Sequence, residues 1–127
     1  MTTLDALLAV NGGVFHLGRR PGLRPLTAGL RGAGWQVSVI DGRVTTTKAS
    51  LLGALASELA FPEWFGHNWD ALADCLSELS RVAIVVNHSG AHSAFDTLAE
   101  IVGDLSSGGQ AILLVMRPGW ARQVGGS

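Results

Sequence analysis

The sequence FPEWFGHNWDALADCLSEL, residues 61–79, carries the signals from which the rest of the fold can be placed. Pro62 disfavours helix at the residue before it, so a preceding helix should end near Phe61. Gly66 permits a turn that a residue with a Cβ atom would resist. Asn68 can cap a new helix by accepting a backbone N–H. The stretch therefore predicts a helix end, a tight loop and a second helix.

The second helix has an apolar side and an acidic side. The apolar side is formed by leucines at helical spacing: Leu72, Leu76 and Leu79. The acidic side is formed by residues four apart: Asp70, Asp74 and Glu78. Like charges at this spacing cost an isolated helix roughly 0.2–0.5 kcal/mol per pair, and residues 49–80 contain no Lys or Arg. The row indicates either a solvated face or a surface whose partner is another molecule.

The stretch also contains a long motif of mixed chemistry, P-E-aromatic-aromatic-G-x-N-x-D-A-L-x-D-C-L. Its members are Pro62, Glu63, Trp64, Phe65, Gly66, Asn68, Asp70, Ala71, Leu72, Asp74, Cys75 and Leu76. This motif resembles the barstar family of intracellular ribonuclease inhibitors. The resemblance is strong over about fifteen residues and extends more loosely over residues 35–116.

Length and composition predict one globular domain. The chain has 127 residues, of which 47% are hydrophobic and 15% are charged, enough for a sizeable core. No apolar run is long enough for a membrane span, and an N-terminus that carries Asp5 without a basic region predicts no signal peptide. The single cysteine, Cys75, suits a reducing cytoplasm, and we expect it to be buried as a small apolar residue.

The charge is distributed unevenly along the chain. Residues 1–48 contain six basic and two acidic residues, whereas residues 49–116 contain one basic and eight acidic residues. The part that carries the motif therefore repels phosphates, which argues against direct binding of nucleic acid. It favours a basic protein partner and electrostatically steered association.

Apolar patterns predict strands that alternate with helices. We expect strands at residues 14–17, 35–40, 81–87 and 111–116. We expect helices at residues 26–31, at 51–60 with Thr47 or Ser50 as the cap, after Asn68, and at 94–105. This order predicts an α/β fold with a small, mainly parallel sheet of three core strands, and a fourth if residues 14–17 join it. We divide the single barstar-like domain into an N-terminal extension (1–34), a core (35–117) and a flexible tail (118–127).

The resemblance implies a binding site on the loop and acidic helix. Asp74 would plug the active site of a ribonuclease, Asp70 would assist it, and Trp64 would stack against the rim of the cleft. The remaining expected contacts are Gly66, Asn68, Trp69, Ala73, Ser77 and Asp104. Core packing is an equal alternative for Trp69, and Glu100 is the alternative to Asp104.

The resemblance also implies the partner and the setting. The partner would be a basic extracellular ribonuclease, barnase-like or a related microbial guanyl-type nuclease. The protein would be a bacterial, cytoplasmic immunity protein or antitoxin that uses no cofactor or metal and binds neither nucleic acid nor membrane. Ala73 and Leu79 stand where the family can carry large aromatics, which leaves the identity of the nuclease open.

Two alternatives belong to other functional classes. One is a barstar-like interaction module whose target is a non-ribonuclease toxin or another basic protein. The other is a small metal-dependent enzyme that uses His67, Asp70 and Asp74 with His88 or His92. The histidine spacing does not match H-E-x-x-H, and the chain contains neither G-x-S-x-G nor paired cysteines. We therefore interpret these histidines as loop residues and predict that the protein is not an enzyme.

Overall fold

In the computed structural model, the described residues are 12–17, 22–45, 47–62, 66, 68–88 and 93–117. Within these ranges the strands are β1 (Gly13–His16), β2 (Gln36–Asp41), β3 (Val82–Asn87) and β4 (Ile112–Met116). The helices are α1 (Leu23–Gly32), α2 (Lys48–Glu58), α3 (Trp69–Ser77) and α4 (Ser93–Ser107). The predicted order of strands and helices is confirmed, with bounds that differ by a few residues.

The described strands form one parallel sheet in the order β1-β4-β3-β2. In the centre of the sheet, Val85 of β3 lies opposite Val115 of β4. On the other side of β4, Phe15 of β1 also lies opposite Val115. The predicted α/β fold is therefore confirmed, and the N-terminal region supplies the fourth strand of the sheet.

Different helices cover the two faces of this sheet. On one face, Leu72 of α3 and Leu98 of α4 are fully buried in a core with Ile84. On the opposite face, Leu26 of α1 is buried in a second core with Val85. Successive residues of β3 thus enter different cores, which explains why its apolar run shows no alternation.

Helix α1 begins three residues earlier than its apolar pattern predicts. Pro25 lies in the first turn, where a missing N–H costs no hydrogen bond because that group has no intrahelical acceptor. The helix can therefore start at Leu23 and run through the proline.

Helix α2 has well-defined signals at both ends. Thr47 is the cap: its hydroxyl accepts from the backbone N–H of Ser50 at 3.1 Å, and the Ser50 hydroxyl accepts from that of Thr47 at 3.0 Å. This reciprocal pair uses both residues that the sequence offered as caps. At the other end, Ala60 has a φ of 55° and the Phe61 N–H donates to the carbonyl of Ala56 at 3.0 Å. This Schellman-type ending turns the chain before Pro62.

None of the helices in the described ranges is both long and apolar enough to cross a membrane.

Candidate functional site

The acidic helix α3 begins at the predicted cap. The Asn68 side-chain oxygen accepts from the backbone N–H of Ala71 at 2.8 Å. Gly66 precedes the cap, and a Cβ atom there would lie 3.0 Å from the Asn68 side-chain nitrogen. The glycine therefore allows the close approach of the capping side chain. The predicted rim residue Trp64, with Glu63, Phe65 and His67, lies outside the described residues.

Helix α3 presents the two predicted sides, but it ends at Ser77, so the predicted members Glu78 and Leu79 follow the helix. Leu72, Cys75 and Leu76 are buried in the core. Asp70 and Asp74 are exposed, one turn apart on the opposite side. Because the core fixes the buried side, the carboxylates project from a rigid support, and each can accept hydrogen bonds from a cationic partner.

The other predicted contacts on α3 flank these carboxylates. Ala73 is half-buried and contributes little contact area. Ser77 is exposed, and its hydroxyl donates to the backbone carbonyl of Asp74 at 2.6 Å. This bond turns the hydroxyl back toward its own helix, which is a common role for serine inside helices.

Trp69 contacts the core with part of its side chain. It is half-buried against the large core, and the Lys48 ammonium lies 5.8 Å from its ring centroid. Sequence analysis left core and interface as equal alternatives for this tryptophan. The structure shows a core contact, and the interface contact stays a prediction. Lys48 comes immediately before the cation-free stretch of residues 49–80, so the fold brings a cation near the start of α3 after all.

Among the described residues, the acidic row nevertheless forms no ion pair. The salt bridge found in these ranges joins Arg43 to Asp41, at 2.9 Å. Arg81, the basic residue of the acidic segment, is engaged elsewhere. Its guanidinium lies 4.4 Å from the ring centroid of Trp35 and donates to the carbonyl of Ala33. No described side chain therefore pairs with the carboxylates of α3.

A second acidic row lies on the neighbouring helix α4. It consists of exposed residues four apart: Asp96, Glu100 and Asp104. Helix α4 packs against α3 on the same face of the sheet. The predicted Asp104 and its alternative Glu100 belong to one row, and both are available. The sequence contains this periodicity, but we predicted only the last two members.

Gln110 ties the ends of these two helices together. Its side-chain amide donates to the carbonyl of Leu76 at 3.3 Å and to that of Leu79. Leu76 lies in the last turn of α3, where backbone acceptors lack intrahelical donors, and Leu79 lies just beyond the C-cap Glu78. Sequence analysis missed this residue because a contact across 34 positions has no local pattern.

Cys75 is buried beneath the acidic row, in agreement with its predicted apolar role. Burial raises the pKa of its thiol, and the charges of Glu78 and Asp74 raise it further. The thiol is therefore protonated at neutral pH, which makes it a poor nucleophile.

Of the histidines of the enzyme hypothesis, the structure describes His88. His88 is buried directly after β3, while His67 and His92 lie outside the described residues. No group of three or more His, Cys, Asp or Glu side chains suited to a metal ion occurs in the part of the chain that the structure describes.

The arrangement is thus an acidic surface on two packed helices, whose carboxylates form no ion pair in the part of the chain that the structure describes and suit a cationic protein surface. Residues 35–108, more than half of the chain, match the family model described as Barstar (barnase inhibitor). A comparison with curated proteins finds no match. The matched segment includes β2, β3 and all helices from α2 to α4. The chain therefore belongs to the barstar family.

Proposed function

We propose that this protein inhibits a small basic ribonuclease by inserting the exposed carboxylates of α3 into the nuclease active site. The observation that carries the proposal is that Asp70 and Asp74 are exposed and form no ion pair among the described residues, on a capped helix that is packed on the core and lies within the family match. A nuclease that binds RNA needs a cationic cleft, and carboxylates can occupy positions that phosphates take in the substrate. The chain acts in this proposal as a binding protein and not as an enzyme.

Asp74 is proposed as the central residue of the contact. It lies in the middle of the row, one turn from Asp70 and one turn from Glu78. Asp70 and, from α4, Asp104 or Glu100 would widen the negative surface. Trp64, Gly66, Asn68, Ala73 and Ser77 complete the proposed contact, with the exposed part of Trp69.

The two helices also explain how the complex would form quickly. The acidic segment concentrates its charge on one face of the sheet, while the basic residues of the chain lie mostly before residue 49. Such a charge distribution steers a basic partner toward the acidic face and raises the association rate. The proposed setting is the bacterial cytoplasm, where the inhibitor would protect the cell from a nuclease that it or a competitor secretes.

RNA cleavage by a panel of small basic microbial ribonucleases tests this proposal. We expect the wild-type protein to inhibit at least one member stoichiometrically and in competition with RNA, and Asp74→Ala to lose this inhibition while remaining folded. Glu58→Ala, which removes an exposed acid at the end of α2, is the matched control and should inhibit like the wild type. If Asp74→Ala inhibits as well as the wild type, the proposed insertion of Asp74 into the nuclease active site is wrong.

A failure to inhibit any ribonuclease would favour the second candidate, a module that binds a different basic toxin. The half-buried Ala73 and the leucine at position 79 favour this alternative, because both reduce the aromatic contact area next to the carboxylates. A pull-down with the wild type and Asp74→Ala as paired baits would then distinguish partners that use the acidic face from nonspecific ones.

A further inference from the structure

An open pocket lies beside the acidic row, between the end of α2 and the end of α3. Its cavity volume is about 120 Å³. Its walls are mostly apolar and include Leu59, Phe61, Pro62, Cys75, Leu79 and, as the charged member, Glu78. A cavity of this kind takes an apolar group, and a charged wall residue gives it a preference for one kind of head group.

The electrostatics of the pocket are negative. Glu78 is exposed and forms no ion pair among the described side chains. It also caps the C-terminal end of α3, where the helix dipole has its negative pole, and the last turn of α3 contains no basic residue. An uncharged aliphatic guest would desolvate Glu78 without compensating it. A guest with a positive end would stabilise both the carboxylate and the helix terminus.

We propose that this pocket binds a lysine or arginine side chain of the partner nuclease, with the methylene groups against Leu79, Phe61 and Pro62 and the cationic head group at Glu78. Lysine and arginine side chains commonly bury their stems in this way while the charge remains near water. The identity of the occupant rests on the proposed function, because that function supplies a basic partner. The pocket adjoins the proposed interface, since Glu78 continues the row of Asp70 and Asp74.

The pocket would also contribute to specificity. The carboxylates of Asp70 and Asp74 can engage any cationic cleft, whereas the pocket adds a requirement for a basic side chain at one fixed distance from that cleft. A nuclease that has the same active site but no lysine or arginine opposite the pocket would be bound less tightly.

Small probes test the pocket without a nuclease. Amide NMR shifts of the full chain are followed during titration with n-butylguanidinium, and with n-butanol as the uncharged control of equal stem length. We expect shifts at Phe61, Cys75 and Leu79 with tighter binding of the cation. Glu78→Gln should weaken cation binding by about two- to fivefold, the range for an exposed ion pair, and leave butanol binding unchanged.

A pocket-filling variant completes the test. Leu79→Trp should remove the shifts caused by both probes, and its amide spectrum reports whether the variant is folded. Equal affinity for cation and alcohol, or equal cation binding by the wild type and Glu78→Gln, would overturn the proposal. If Leu79→Trp does not fold, the comparison of the wild type with Glu78→Gln still decides whether the proposal is wrong.

The nuclease assay separates this inference from the proposed function. Suppose that the wild type inhibits a ribonuclease and Asp74→Ala does not, while Glu78→Gln and Leu79→Trp inhibit as well as the wild type. The pocket proposal is then wrong, and the proposed insertion of Asp74 into the active site is retained. If no ribonuclease is inhibited, the proposed function fails, while the NMR titration still decides whether the pocket selects a cationic stem.

Discussion

Cys75 lies on the buried side of α3, while its neighbour Asp74 lies on the exposed side. Adjacent residues of one helix therefore serve the core and the proposed interface. The proximity has an electrostatic consequence, because Glu78 and Asp74 add to burial in raising the pKa of the Cys75 thiol. Burial and, to a lesser extent, the charges of the proposed interface thus keep the thiol protonated.

This pKa shift predicts a pH dependence of stability. In the unfolded chain the thiol ionises at about pH 8.5, whereas in the folded chain its pKa is higher. Below the unfolded pKa the thiol is protonated in both states, so it causes no pH dependence. As pH rises above that value, the unfolded state loses its proton first, and the free energy of unfolding falls.

Urea denaturation of the wild type and Cys75→Ala, from neutral pH to about pH 10, measures this effect. We expect the stability of the wild type relative to Cys75→Ala to decrease across this range. Other titrating groups affect both proteins alike and cancel in the difference. Parallel curves would show that the thiol has the same pKa in the folded and unfolded states.

At the scale of single elements, α2 and α3 differ in how their ends are made. Helix α3 begins at a capping asparagine and ends on carbonyls held by Gln110. Helix α2 begins at a capping box and ends with Ala60 in the left-handed region, at a φ of 55°. That conformation favours glycine, so the end of α2 carries strain that its beginning does not.

Ala60→Gly should therefore stabilise the protein. Relief of the left-handed alanine exceeds the greater loss of backbone entropy by glycine, and we expect a net gain of about 0.5–1 kcal/mol in the free energy of unfolding. Ala54→Gly, inside α2, is the matched control and should lose about 1 kcal/mol. Urea denaturation checks both variants, and a loss in both would contradict the role assigned to the conformation of Ala60.

The acidic helices form a larger unit than sequence analysis predicted. The row on α3 was evident because its members recur every four residues next to a recognisable cap. The row on α4 has the same spacing, but its relation to α3 depends on the packing of two helices that precede different strands. Periodicity identifies the face of one helix and does not reveal which helix lies beside it.

The sequence predicts which segments form strands and helices in this molecule, but it predicts the order of the strands in the sheet much less well. β-branched apolar runs identify β3 and β4, and their lack of alternation indicates burial on both faces. The sequence did not show that β1 pairs with β4 or that α1 supplies the second cover, because these contacts join distant parts of the chain.

The same reason limits prediction of the site. Asn68, Asp70 and Asp74 lie within one local pattern and were placed correctly on the capped end and exposed side of α3. Lys48 against Trp69 and Gln110 against Leu76 depend on tertiary contacts and were not predicted. Trp64, Asp104 and the other proposed contacts remain predictions of an interface until a partner is bound.

The central claim is that a local contact of Asp74, and not the net negative charge of the molecule, blocks the nuclease. The most direct test is the dissociation constant of the inhibited nuclease for the wild type, Asp74→Asn and Glu58→Gln, since both variants remove one charge. Truncating one partner of a desolvated, hydrogen-bonded charge pair costs roughly 2–5 kcal/mol in protein complexes generally, and the barnase–barstar complex is one of the systems in which such charge pairs are characterised.

We expect Asp74→Asn to weaken binding by at least about thirtyfold and Glu58→Gln to leave it nearly unchanged. The difference between the variants should persist at high salt, where screening weakens the long-range attraction equally for both. Equal and small losses for Asp74→Asn and Glu58→Gln would contradict the account, because they would mean that overall charge, and not a plug at Asp74, accounts for binding.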